Sequence, residues 1–443
     1  MHGQGQAVMA GRTASTLPFP GKPPGTPNPD MPFDHLIVVM MENHSFDNLL
    51  GALPGVDGLS FDTNSKATNS NPGATHTPDS VTAYPLTNTA QAKHVTQSWR
   101  GTHEQINGGL MNGFVQSSGA VQPMGYYTKA VLPFAYSLAA AFTVGDKWFC
   151  SMPGPTYPNR RFLLAGTAYG ATVTAPSTLF NAPPAHGTIF DSLSAHNINW
   201  CNYFSDLPMT AVIPSIVVQH SNHLAPISKF FHDCQAGTLP AVSFVDPRVG
   251  VASSIGLPLA ALPGAAKDHA QVMGADFLGS AEPAETEEDP QDMYWGELWA
   301  YGVVQAVLKS PVWPRTLLIY IYDEHGGYYD HVAPPAAVPP DAIAPELQAG
   351  DPPGAYDIYG PRVPAVVVSP YAKPGGVTSE VHDHTSVLAT IEEKWNLPAL
   401  TNRDANAATV MDFLSVDDPP LLERGPLVAP ELNTPSGPVT PST

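Results

Sequence analysis

The apolar positions of this chain fall into short unbroken runs and seldom alternate with polar ones. Residues 33–41, 198–204, 241–245, 316–322 and 364–369 each read as a strand with little polar interruption. Runs of that kind predict strands buried on both faces. Between them lie stretches with helical spacing at 133–142, 159–164, 189–196, 295–309 and 385–395. In the last, Val387, Leu388, Ile391 and Trp395 recur at intervals of one, three and four, which places them on one helix face. Buried strands interspersed with helices predict an α/β fold: a three-layer α/β/α sandwich around a mostly parallel sheet. Two polar stretches, 52–130 and 247–292, break the pattern and read as long loop insertions. The second carries the acidic run Glu285-Thr286-Glu287-Glu288-Asp289. The ends, 1–30 and 415–443, are rich in Pro, Gly, Ser and Thr. They predict a flexible leading segment and a Pro-rich tail around one domain at 31–414.

Composition narrows the function. With 19 basic and 39 acidic side chains the net charge is −20, which disfavours a nucleic-acid partner and a polybasic membrane anchor. The 49 prolines and 37 glycines suit long, stiffened loops. No transmembrane segment is expected: the longest uncharged apolar stretch, residues 130–144, is short and contains Pro133. No continuous apolar leader is visible near the start. Cys150, Cys201 and Cys234 fit either one disulfide with a free thiol or three buried thiols.

In an open α/β sheet, ligands bind beyond the carboxyl ends of the strands. The run 33–41 is followed by Glu42-Asn43-His44-Ser45-Phe46-Asp47, and the run 316–322 by Asp323-Glu324-His325-Gly326-Gly327-Tyr328-Tyr329-Asp330-His331. Glu42, Asn43, Asp323 and Glu324 would thus share one rim, where a divalent cation would relieve their repulsion. Either pair alone also reads as a cap or a solvated turn. Gly154-Pro155-Thr156-Tyr157-Pro158-Asn159-Arg160 leads into a helix, with Pro158 suited to its first turn. Thr156 would then sit at the helix start, where backbone N–H groups and the dipole favour an anion. Taken alone it reads first as an N-cap. A hydroxyl beside both a cation and an anion site suits phosphoryl or sulfuryl transfer. Among the 16 histidines, His103, His325 and His384, with His220 and His223 less firmly placed, are candidates near the rim. One of them would protonate a leaving alcohol.

These blocks, with Gly360-Pro361-Arg362-Val363-Pro364 and Asp383-His384-Thr385-Ser386-Val387-Leu388, resemble the phosphoesterase family of bacterial phospholipases C, plant non-specific phospholipases C and related acid phosphatases. The five blocks run in order from about residue 33 to 395. The resemblance implies an alkaline-phosphatase-like core, Thr156 as nucleophile, and Glu42, Asn43, Thr156, Asp323 and Glu324 as metal ligands. It implies that His103 lies by the phosphate, and that Asp289 stands where relatives often carry a histidine before proline. Asp289 or a histidine would then serve as the leaving-group acid.

The activity expected is metal-dependent phospholipase C cleavage of phosphatidylcholine-type lipids through a phosphothreonine. A broad acid phosphatase and a catalytically silent surface-binding protein are the alternatives. Asn43, Trp99, Tyr157, Asn159 and His223 are expected to contact substrate; Trp99, Tyr126, Tyr127 and Tyr157 read first as ordinary packing aromatics and, as the alternative, as a cation–π wall for choline. Oxygen ligands suit Ca²⁺, Mg²⁺ or Mn²⁺, whereas nearby histidines suit Zn²⁺ or Fe. The partner is a phospholipid or small phosphoester, with transient contact at a membrane surface. A secreted or periplasmic location follows from the resemblance. Oligomeric state, head group and C-type versus D-type cleavage are not legible.

Overall fold

The structure, a computed structural model, describes residues 11–91, 95–180, 182–249, 284–288 and 291–431. Its main sheet contains β1 (His35–Met41), β2 (Thr143–Gly145), β3 (Trp200–Phe204), β4 (Leu224–Pro226), β5 (Val242–Asp246), β6 (Thr316–Tyr322), β7 (Ala365–Val368) and β8 (Val377–Thr378). Across the sheet the order is β8-β2-β7-β6-β1-β5-β3-β4. Only β7 runs against its neighbours. The mostly parallel sheet expected from the unbroken apolar runs is therefore present.

The principal helices are α1 (Phe46–Leu50), α2 (Trp99–Ile106), α3 (Pro133–Ala141), α4 (Thr156–Ala165), α5 (Ile189–Ala195), α6 (Met293–Leu308) and α7 (Thr385–Trp395). Strand pleating decides which helix meets which face. Tyr320 is level with Val39 across the parallel pair β6–β1, and its ring meets Phe134 of α3, which in turn meets Tyr301 of α6. Val38 and Met40 point the other way, toward Arg160, Leu163 and Leu164 of α4. Helices therefore cover both faces of the centre, and the strand side chains are almost fully excluded from water.

The register of the central pair positions the site. His35 aligns with Thr316 and Met41 with Tyr322, in step along the whole length. Both strands end level, so the residues that follow, Glu42 and Asp323, emerge side by side. Gly326 makes that convergence possible: its φ is +64°, and a Cβ there would lie 1.8 Å from the Asn43 carbonyl oxygen.

Both Pro-rich ends are more closely fastened where described than a flexible segment would be. Residues 11–31 lie as a strap held by amides: Asn406 accepts from the Gly11 and Arg12 N–H groups, Asn402 from Ala14 and Asn396 from Phe19. Lys394 donates to the carbonyls of Asn28 and Met31. Toward the other end, Arg424 donates to the Ser369 and Ala372 carbonyls. Specific side-chain amides and cations supply what low hydrophobicity cannot. Cys150, Cys201 and Cys234 are all free thiols. No described helix is long and apolar enough to cross a membrane.

Candidate active site

At the carboxyl end of the sheet, α4 begins with Thr156, whose hydroxyl donates to Asn43 Oδ1 at 3.5 Å. Asn43 has φ +69°, a left-handed conformation that asparagine tolerates better than most residues. Its N–H donates to Asp323 Oδ1 at 3.2 Å, which ties the two strand ends together. Asn159, expected to contact substrate, instead braces the preceding loop. Its side chain bonds both backbone groups of Met152 and the carbonyls of Gly154 and Pro155.

Arg160 lies one helical turn after Thr156 and therefore on the same face. Its Nε donates to Asp323 Oδ2 at 3.1 Å, and Nη2 lies 3.3 Å from Glu42 Oε1. All three side chains are buried. The sequence reading included Arg160 in a motif but assigned it no role, although the spacing of four from Thr156 could have revealed one. Burial raises the carboxyls of Glu42, Asp323 and Glu324, opposed by Arg160 at Glu42 and Asp323 and reinforced by the Asp323 charge at Glu324. Glu288, also missed, is pushed up to about 7 by burial and by Asp323.

One guanidinium facing four carboxyls leaves an excess of negative charge. Glu42 Oε2 and Glu324 Oε1 are buried with no hydrogen-bond partner, a condition costly unless a cation satisfies them. Their all-oxygen chemistry, with Asn43 and Thr156 alongside, fits a divalent ion. The carboxylates are not drawn into a tight trio, however. Among the described residues, the one group of three His, Cys, Asp or Glu donors within 4.8 Å of one another is Asp47, Asp330 and His331.

That trio already has its counter-charge. Arg362 donates to Asp330 Oδ1 at 2.9 Å and to Asp47 Oδ1 at 3.1 Å. His331 bonds Asp47 at 2.7 Å and Asp57 at 3.2 Å. The cluster is an ionic clasp joining three sequence blocks. Burial alone would depress His331, but the Asp47 hydrogen bond and the charges of Asp47 and Asp330 override it and raise it from 6.5 to about 9. A raised histidine contributes stability in full below its unfolded value and loses it as pH climbs through the folded one. The gap in Tm between wild type and His331→Asn should thus be widest near pH 6 and close toward pH 10. A constant gap across that range would contradict the clasp.

A cleft of about 600 Å³ opens above Thr156, lined by Glu42, Tyr157 and Glu288 together with Thr96, Ser98, Ser118 and Thr174. Among the described residues that line it there is no Lys or Arg, and Tyr157 is the one aromatic side chain. The aromatic residues follow the packing reading, and a wall for choline is not assembled from them. Trp99 packs with Met152, Phe162 and Tyr356, while Tyr126 and Tyr127 belong to other buried clusters.

The histidines are likewise placed differently from expectation. His103 lies against Trp99, with Nδ1 2.7 Å from the Trp99 carbonyl oxygen, and does not line the cleft. His223 stacks on Trp200, with His220 beside it; Trp200 begins β3, level with Val242 and hence with Leu36. That pair therefore sits at the opposite, amino end of the sheet. His325 and His384 are fully buried, and burial lowers them to about 3 and about 4. Burial thus disfavours the imidazolium form that would protonate a leaving alcohol, and neither side chain is among the residues lining the cleft. His384 instead braces the backbone at Asp323, with Nε2 2.6 Å from the Asp323 carbonyl oxygen. Asp289 lies outside the described residues.

The Phosphoesterase family model matches residues 33–398, spanning every element of this site. The chain belongs to the phosphoesterase family. It is similar to non-specific phospholipase C6 of Arabidopsis thaliana, at 31% identity over 87% of this chain and 72% of that protein. It also resembles the non-hemolytic phospholipase C of Pseudomonas aeruginosa, at 28% identity over 82% of this chain and 54% of that protein. A solved protein of the alkaline phosphatase superfamily from Vibrio parahaemolyticus overlays with a TM-score of 0.36 at 11% identity, covering 78% of this chain and 74% of that one. This phosphoesterase is accordingly a hydrolase of phosphoric ester bonds.

Proposed function

We propose that this phosphoesterase is a metal-dependent phospholipase C-type phosphodiesterase with Thr156 as its nucleophile. The observation that carries the reading is the charge of the cleft. Thr156 opens onto walls that, among the described residues, bear Glu42 and Glu288 and no basic side chain. A dianionic phosphomonoester would meet more repulsion from these acids than a singly charged diester, since a bound cation would offset the same amount of charge for either. A diester carries one negative charge, and a cationic head group would find Glu288 nearby.

Glu42, Asn43, Asp323, Glu324 and the Thr156 oxygen are the groups that would hold the ion. When bound, a divalent cation supplies charge neutralisation at phosphorus and acidifies the neighbouring hydroxyl. Thr156 Oγ1 attacks phosphorus as the bond to diacylglycerol breaks, and the departing alcohol gains a proton. Water then cleaves the phosphothreonine, releasing the phosphorylated head group and restoring the hydroxyl. The α4 N-terminus favours the anionic phosphoryl group throughout. Glu288, facing the cleft and raised toward neutrality, is the residue placed to carry the transferred proton. A lipid substrate entails transient contact with a membrane surface, and we infer a secreted or periplasmic location from the family resemblance.

Product analysis on phosphatidylcholine should yield diacylglycerol and phosphocholine, with loss of activity on chelation and recovery on adding a divalent ion. Faster release of phosphate from p-nitrophenyl phosphate than of phosphocholine from lipid would replace this reading with a phosphomonoesterase. Phosphatidic acid and choline would indicate cleavage on the other side of phosphorus.

A further inference from the structure

His325 follows Glu324 directly, yet the metal ligation proposed above assigns it no part. Its ring is completely buried, so each nitrogen must be accounted for by the protein or by something bound. Nε2 lies 2.7 Å from Gln105 Oε1. The other end of that amide settles the direction of the bond. Gln105 Nε2 donates to the Thr96 carbonyl oxygen at 2.8 Å, and a carbonyl only accepts. The amide oxygen therefore faces the imidazole, and Nε2 must carry the hydrogen. In a neutral ring this leaves Nδ1 as a bare lone pair.

That lone pair faces another acceptor. Nδ1 lies 3.2 Å from Glu324 Oε2, and Nδ1 itself has no hydrogen-bond partner. Oε2 accepts from the Gly326 N–H at 2.8 Å, while Glu324 Oε1 is buried and unpartnered. A nitrogen and a carboxylate oxygen at this separation match two neighbouring ligands of one ion, since bonds of roughly 2.0–2.2 Å at about a right angle span about 3 Å.

We propose that His325 Nδ1 is a nitrogen ligand of the metal centre, paired with Glu324, and that Gln105 is the positioning residue that fixes its tautomer. The proposal rests on the reading of this site as a metal centre. It adds that the resident ion is one that accepts imidazole, such as Mn²⁺, Zn²⁺ or Fe²⁺, in preference to Ca²⁺ or Mg²⁺. It also links the cleft wall to the ion, because Thr96 both lines the cleft and anchors Gln105. The relay runs from Thr96 through Gln105 and His325 to Glu324.

The test uses the full chain loaded with Mn²⁺. Pulsed electron paramagnetic resonance should detect a directly bound imidazole nitrogen, and that signal should vanish in His325→Ala. Titration calorimetry should give Gln105→Leu an affinity for Mn²⁺ or Zn²⁺ lowered about 10–100-fold, the usual cost of losing an outer partner of a ligating histidine. Gln105→Glu still accepts from Nε2–H and should restore most of that affinity. A purely packing role for Gln105 would give both variants similar losses of stability and no difference in their metal affinity. Bound Mn²⁺ with oxygen coupling alone would overturn the nitrogen ligand while leaving the metal centre intact. Absence of any stoichiometric divalent ion would remove both, so the two failures are distinguishable.

Discussion

Thr156→Ala should leave a folded, ion-binding protein whose turnover of phosphodiesters falls by at least ~10³-fold, the scale on which removal of an activated nucleophile acts. The side chain is nearly buried and its hydroxyl makes one long bond, to Asn43. Its loss should therefore cost little stability, about 1 kcal/mol or less, on the order of one ordinary hydrogen bond. Thr156→Ser keeps the nucleophilic oxygen and should retain measurable activity. Rapid quench with labelled substrate followed by mass spectrometry should find a phosphorylated peptide containing residue 156 in wild type and none in the alanine variant. An alanine variant with near-normal kcat would eliminate the covalent route.

The second large effect is expected at Arg160. Arg160→Met removes the buried cation that bridges Asp323 and Glu42 and replaces it with an apolar chain of similar length. Breaking one partner of a buried ion pair typically costs ~3–5 kcal/mol because the opposing charge is stranded. Here two carboxylates are stranded, both already raised by burial with Arg160 opposing the rise. Without the guanidinium their folded values rise further above the unfolded ones. The penalty should then be greatest above neutrality and shrink toward pH 5 as the acids take up protons. Adding Mn²⁺ or Zn²⁺ should stabilise the variant more than wild type, since the ion then supplies the missing charge. Arg160→Lys should recover only part of the loss, because an ammonium lacks the planar fork that reaches two acids at once. Urea melts at several pH values with and without ion would test all three expectations. A variant as stable as wild type would mean that Arg160 does not govern the charge of this site.

The central strands were legible because burial on both faces leaves little room for polar residues, as in the run Thr316–Tyr322. The helix starting at Thr156 was legible in part from Pro158, which tolerates the first turn and little else. The histidines were not legible in this way. His103 and Gln105 are two residues apart on α2, and which of them turns inward depends on how that helix is set against the rest of the chain. It is Gln105 that is fully buried against His325, while His103 turns toward Trp99 and stays partly exposed. His223 was misplaced for a related reason: a histidine in a loop carries no sign of which end of the sheet it will reach. The aromatic wall failed because Trp99, Tyr126 and Tyr127 satisfy burial just as well in the core.

Local sequence determined where the strands and their acidic ends fall, since strand length and the polar residue that ends it are fixed along the chain. It also determined that a hydroxyl would open a helix. Tertiary structure alone decided the rest. Parallel register set Glu42 beside Asp323, the docking of α4 brought Arg160 to both of them, and the packing of α2 gave His325 its partner. Those outcomes depend on contacts across more than a hundred residues of chain, where energy is set by relative placement in space and spacing along the sequence carries no record of it.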